Sequence, residues 1–203
     1  MLKIAIAKGA MFNEGLNRLE KIGIHFNEKD INSRSLSFPD TKKTLQLLRV
    51  RSWDVPVYVE QGAADLGIVG RDVILEQEKK ILSLLDLKFG ACKLVIAGPK
   101  NTIIKPNLKV ATKYPNLTEK YFRKKIIKVN LIKLYGAMEL APPSGLSDII
   151  CDLTETGKTL KENNLQIIDT ITTSTGYLVA NIPSMALYYS NIMKIVSELS
   201  NIK

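Results

Sequence analysis

The chain has 203 residues, 45% of them hydrophobic and 24% charged, with 29 Lys+Arg against 20 Asp+Glu and a formal net charge of +9. These proportions exclude a disordered chain, a collagen and a coiled coil. The length fits one large domain or two small ones, with core enough to fold without disulfide or metal staples. No apolar run approaches the roughly 20 residues that span a bilayer, and the opening MLKIAIAKG lacks the apolar stretch and cleavage site of a secretory leader. A lone histidine, His25, argues against a histidine metal cluster or a histidine-based triad. Cys92 and Cys151 lie in apolar runs and read as two buried, reduced thiols, which places the protein in the cytoplasm.

Strands alternate with helices along the chain. Residues 2–7 (LKIAIA) read as a strand, broken by Lys8-Gly9. Met11, Phe12, Leu16, Leu19 and Ile22 form a helical stripe. Residues 44–50 read as a strand, and 55–61 as a short helix that Asp54 can cap, with Pro56 in its first turn. A strand over 66–69 and a helix over 72–79 follow. Residues 91–97 open a second set: strand 109–111, helix 114–125, strand 128–134, strand 148–153, helix 156–162, and strands 166–171 and 177–182. A final helix begins at Pro183. Such alternation predicts an α/β protein with largely parallel sheets covered on both faces.

GAADLGIVG (62–70) and GLSDIICDL (145–153) share a pattern of Gly, small residues, Asp and an apolar strand. The echo suggests two similar α/β lobes with a ligand cleft between them. Residues 1–90 plus 181–203 form the expected first lobe, and 91–180 the second. The segment 91–134 sets eleven Lys and Arg residues against Glu119 alone. A nucleic-acid face would suit that charge, but Lys outnumbers Arg by 23 to 6 over the chain, and Arg is the usual reader of phosphates and bases. A solvated lysine-rich surface is the simpler reading, so no nucleic-acid or membrane partner is expected.

The chemistry concentrates in Asp152-Leu153-Thr154-Glu155-Thr156-Gly157-Lys158-Thr159-Leu160, where an apolar strand should give way to a helix. Gly157 permits a tight turn and close approach to a ligand. Thr156 and Thr159 add hydroxyls, and the helix start adds backbone amides: together a cradle for phosphate. Asp152 and Glu155 suit sugar hydroxyls or a Mg²⁺ ion. A capped surface helix without a ligand fits the same spacing.

The segment ELAPPSGLSDIICDLTETGKTLKENNL (139–165) resembles the signature region of the ATP phosphoribosyltransferases. LRVRSWDVPVYVEQGAADLGIVGRDVI (48–74), KVATKYPNLTEKYF (109–122) and KIAIAKG (3–9) are similar to that family as well, so the likeness runs from Lys3 to about Ile182. It implies two lobes like those of periplasmic binding proteins. It also implies the first step of histidine biosynthesis: adenine N1 of ATP attacks the ribose C1 of 5-phosphoribosyl-1-pyrophosphate and pyrophosphate leaves. On that likeness the 152–160 loop holds the 5-phosphate, with Gly157, Lys158, Thr156 and Thr159 around it. Asp152, Glu155 and Glu139 meet the sugar, and Mg²⁺ is held mainly by the substrates.

Positive charge develops on the ribose ring and negative charge on the leaving group, so cations that neutralise pyrophosphate are the catalytic need. Arg51, Arg34 and Lys8 are the cations at matching positions; a structural ion pair of Arg51 with Asp54 or Asp72 is the alternative for that residue. Two departures stand out: Ala10 and Tyr177 occupy places where the family commonly has arginine. The length resembles the short form of the family, which implies a homodimer assembled with a regulatory subunit similar to histidyl-tRNA synthetase. The competing reading is a two-lobed small-molecule binding protein without catalysis; Asp65 and Asp148 read as turn residues, and Trp53 as core.

Overall fold

Alternate residues of the first strand supply two different cores. In the computed structural model, which describes residues 1–202, strand β1 (Leu2–Ala7) sends Leu2, Ile4 and Ile6 to one face of its sheet and Ala5 and Ala7 to the other. On the first face they meet Phe12, Leu16 and Leu19 of helix α1 (Ala10–Lys21). On the second they meet Val55 and Val59 of helix α3 (Val55–Glu60). A strand buried on both faces needs an unbroken apolar run, which is why LKIAIA reads so clearly. Each fully buried Leu or Ile contributes about 1.5–3 kcal/mol.

The chain divides into two compact units, Met1–Gly90 with Thr175–Lys203, and Ala91–Ser174. The first adds helix α2 (Glu28–Ile31), strands β2 (Ser37–Pro39), β3 (Leu45–Val50) and β4 (Leu66–Gly70), helix α4 (Arg71–Gln77) and strand β5 (Leu82–Asp86). The second holds strands β6 (Cys92–Pro99) and β7 (Lys109–Thr112), helix α5 (Pro115–Lys124), strand β8 (Asn130–Lys133), a 3-10 turn over Met138–Leu140, strand β9 (Ile149–Thr154), helix α6 (Lys158–Glu162) and strand β10 (Leu165–Ser174). The chain then returns to the first unit with strand β11 (Gly176–Ala180) and helices α7 (Ile182–Leu187) and α8 (Tyr189–Ser200). The first sheet has the order β2-β3-β1-β4-β11-β5 and the second β10-β6-β9-β7-β8.

Several expectations change. The sheets are mixed rather than largely parallel. β1 is parallel to β3 and β4, and β7 to β8 and β9, but β11 runs antiparallel to β4 and β5, and β6 antiparallel to β9 and β10. Apart from the edge pair β2–β3, which is also antiparallel, these antiparallel pairings involve the strands through which the chain leaves and re-enters each unit. For the same reason the return falls at 174/175 instead of 180/181: β11 pairs with β4 and β5, inside the first sheet. Asp54 makes no side-chain cap to α3; its own amide donates to the Arg51 carbonyl at 2.9 Å. The expected final helix is two helices, divided at Tyr188 (φ −122°), with the Asn181 side chain accepting from the Ser184 amide at 2.9 Å. Cys151 is buried, but Cys92 is only half-buried.

The sequence echo is one structural device used twice. Gly62 and Gly145 both turn the chain at positive φ, 71° and 75°. Three residues later the Asp65 carboxylate accepts from the Lys3 amide at 2.7 Å while its own amide donates to the Lys3 carbonyl at 2.9 Å. Asp148 does the same with Lys109, at 2.7 and 2.9 Å. Each Asp thus fastens the start of its strand to a parallel neighbour, β4 to β1 and β9 to β7, and sets the register.

Candidate active site

Two groups of predicted residues assemble, one in each unit. In the first, β1 and β3 run side by side with Ala7 opposite Val50, and the Lys8 amide donates to the Val50 carbonyl at 2.8 Å. Lys8 and Arg51 therefore emerge together at the carboxyl ends of adjacent parallel strands, both exposed. Carboxyl ends of parallel strands are where α/β sheets bind ligands. Arg51 forms no ion pair with Asp54 or Asp72 among the described residues. Arg34, also exposed, lies two residues before Leu36, whose carbonyl accepts from the Arg49 amide at 2.8 Å.

Arg49 is a residue that sequence reasoning missed. Its guanidinium lies over the rings of Phe12 (4.3 Å) and Phe38 (5.3 Å) and donates to the carbonyls of Ile31 (2.7 Å) and Ser33 (3.2 Å). Those contacts hold the segment that carries Arg34 against the sheet. A half-buried arginine inside a strand has no signal of its own in the sequence.

The second group is the 152–160 loop. β9 delivers Asp152, half-buried, whose carboxylate accepts from the Leu153 amide at 2.8 Å. Gly157 sits at φ 75°, ψ 3°, and α6 starts one residue later. A side chain there would meet no crowding, since the nearest atom is Ile167 Cδ1 at 3.9 Å; the demand for glycine comes from the backbone angle. Glu155, Thr156, Lys158 and Thr159 are exposed along the turn. The Gly157 amide donates to Thr154 Oγ1 at 2.9 Å, and the Lys158 amide approaches Thr156 Oγ1 at 3.4 Å. Thr154, absent from the expected site, thus shapes the loop, and the Gly157 amide is turned inward to it. Lys158 Nζ lies 3.9 Å from the Glu162 carboxylate. Glu139 sits in the 3-10 turn, and its neighbour Met138 shares a core with Ile150 of β9 and Leu160 at the end of the loop.

The basic segment 91–134 lies wholly in the second unit. Tyr114 and Phe122 are buried, and half-buried Tyr121 donates its hydroxyl to Asp169, which also takes Lys125 Nζ at 2.6 Å. These aromatics serve as core and clasp. Trp53 packs, partly buried, against the α3 core. Among the described residues no group of three or more His, Cys, Asp or Glu gathers as a metal cage, and no helix is long and apolar enough to cross a membrane.

A family model described as HisG, ATP phosphoribosyltransferase, matches residues 51–201. An ATP phosphoribosyltransferase of Geobacter metallireducens is 45% identical over 204 residues, covering 98% of this chain and 96% of that protein. One of Caldanaerobacter subterraneus subsp. tengcongensis is 44% identical, covering 100% and 97%. Among solved structures, the ATP phosphoribosyl transferase (HisG:HisZ) complex from Thermotoga maritima superposes with a TM-score of 0.86 at 37% identity, over 98% of this chain and 97% of that one. The periplasmic aliphatic sulphonate binding protein SsuA of Escherichia coli shares the fold alone: TM-score 0.62 at 14% identity, over 98% of this chain and 71% of that one. With the family model covering most of its length and relatives alike from end to end, the chain belongs to the ATP phosphoribosyltransferase family.

Proposed function

We propose that the chain joins ATP to 5-phosphoribosyl-1-pyrophosphate, giving N1-(5-phosphoribosyl)-ATP and pyrophosphate, the opening reaction of histidine biosynthesis. The observation that carries this is the turn at Gly157. Its left-handed backbone bends the chain sharply between β9 and α6 and leaves Thr156 and Thr159 exposed beside it. Those hydroxyls and the loop amides take the 5-phosphate. Asp152, with Glu155 and Glu139, accepts hydrogen bonds from the ribose hydroxyls. Lys8, Arg51 and Arg34 neutralise the leaving pyrophosphate, the charge that grows most in this displacement. Mg²⁺, held mainly by the substrates, would supply further charge neutralisation, and the carboxylates of Asp152 and Glu155 are hard oxygen donors of the type that ion takes.

The same reading makes the protein a homodimer that assembles with a histidyl-tRNA-synthetase-like regulatory subunit in the cytoplasm. The relative from Thermotoga maritima is described as a complex of HisG with HisZ, which supports a second kind of subunit here. The test is an incubation with ATP, phosphoribosyl pyrophosphate and Mg²⁺, alone and with the regulatory subunit. Phosphoribosyl-ATP and pyrophosphate should appear in equal amounts in at least one mixture. Absence of product from both would leave the small-molecule binding protein as the better reading.

A further inference from the structure

Three neighbouring parallel strands of the first sheet each run out into a basic residue. β3 leads into Arg51, β1 into Lys8 and β4 into Arg71. The three strands are adjacent in the order β3-β1-β4, with Ala7 opposite Val50 and Ile6 opposite Ile68. With strands about 4.8 Å apart, the three cations form a short row along one edge of the sheet. All three are exposed, and none is ion-paired among the described residues. Like charges held this close repel one another, and a ligand with several negative charges turns that cost into attraction.

Arg71 differs from the other two in being seated. Its guanidinium lies over the Tyr177 ring, 5.8 Å from the centroid. The ring is fixed in turn: Tyr177 stands in β11 opposite Val69 of β4 and Asp86 of β5. The Arg71 amide donates to the Thr175 carbonyl at 2.9 Å. Both ends of the residue are therefore anchored to the segment from Thr175 to Tyr177 that opens β11, which lowers the rotamer freedom lost when an anion binds. A guanidinium presents forked donors that match two phosphate oxygens at once.

We infer that Arg71, seated on Tyr177, is a polyphosphate-binding residue that completes a row with Lys8 and Arg51. The ligand chemistry is a chain of linked phosphates, either the triphosphate of ATP or the pyrophosphate of phosphoribosyl pyrophosphate. The inference builds on the proposed reaction, yet its test does not need turnover.

Binding of inorganic tripolyphosphate, pyrophosphate and ATP is measured by calorimetry on the parent, Arg71→Ala, Arg71→Lys, Tyr177→Leu and, as a charge control, Arg123→Ala. Arg71→Ala should weaken tripolyphosphate by about tenfold, the loss of one charge-assisted hydrogen-bonding partner. Arg71→Lys should recover part of it, and Tyr177→Leu should lose a few-fold. Arg123→Ala should match the parent, and thermal midpoints should stay together. Steady-state kinetics then separate the two sources: a rise in KM for ATP assigns the row to the triphosphate, a rise for phosphoribosyl pyrophosphate to the pyrophosphate. Equal binding by Arg71→Ala and the parent, or equal weakening by Arg71→Ala and Arg123→Ala, overturns the inference. A protein that binds tripolyphosphate through Arg71 but makes no product overturns the reaction and leaves the inference standing.

Discussion

Gly157 separates two reasons for a loop glycine, backbone angle and space, and here only the first applies. Its φ of 75° is a conformation that β-branched residues avoid, while the nearest atom to an added Cβ is 3.9 Å away. Gly157→Val therefore strains the turn by about 1–3 kcal/mol. It should raise the KM for phosphoribosyl pyrophosphate or abolish turnover while the fold survives. Gly157→Asn, which tolerates the left-handed region, should keep clearly more activity than the valine variant. Equal loss in both would point to a side chain colliding with substrate instead of a backbone requirement. Thr154 belongs to the same scale: its hydroxyl receives the Gly157 amide, a partnership that spacing in the sequence does not announce.

At the scale of elements, the repeated Asp clamp ties strand to strand. Asp148 holds the Lys109 amide; Asp65 holds the Lys3 amide and also accepts from Ser184 Oγ at 2.6 Å, which adds α7 to the same carboxylate. Replacing Asp148 by Ala should cost about 1–2 kcal/mol in urea unfolding, and Asp65→Ala more, because a second partner is stranded. The reverse order would contradict the clamp as the source of the stability. The alignment of the two echo segments was visible in the sequence because a turn glycine and an Asp three residues on recur with an apolar strand behind them. The helix cap expected from Asp54 was not realised, because the chain at Arg51–Asp54 folds into its own backbone turn first.

At the scale of the whole molecule, pH acts in part through an exposed clasp of the second unit. Hydrogen bonds from Lys125 and Tyr121 pull the Asp169 carboxyl down from 3.8 to about 2, and the same bond to Asp169 raises the Lys125 pKa. A depressed carboxyl contributes stability that is complete above its unfolded pKa and fades as pH falls toward the folded one. The parent should thus exceed Asp169→Asn in thermal midpoint by a constant amount down to about pH 5, with the gap closing between about pH 4 and pH 2. Both side chains are more than two-fifths exposed, so screening limits the effect to about 0.5 kcal/mol. A gap that persisted at pH 2 would assign it to packing and not to charge.

The sequence by itself determined most elements and the family. Apolar runs such as LKIAIA and LGIVG are legible because strands buried on both faces leave no room for polar residues, and the four ordered segments from Lys3 to about Ile182 are long enough to mark one family. Tertiary structure alone decided which strands neighbour which. Local pattern is silent about direction, so β11 and β6 turned out antiparallel where parallel strands were expected. It alone set Lys8, Arg51 and Arg71 along one sheet edge, since residues 8, 51 and 71 meet only when β3, β1 and β4 pair. The net charge of +9 hinted at an anion, but the lysine-rich stretch that creates most of it lies apart in sequence from that row. Placement by strand register, and not abundance of charge, brings these three cations together.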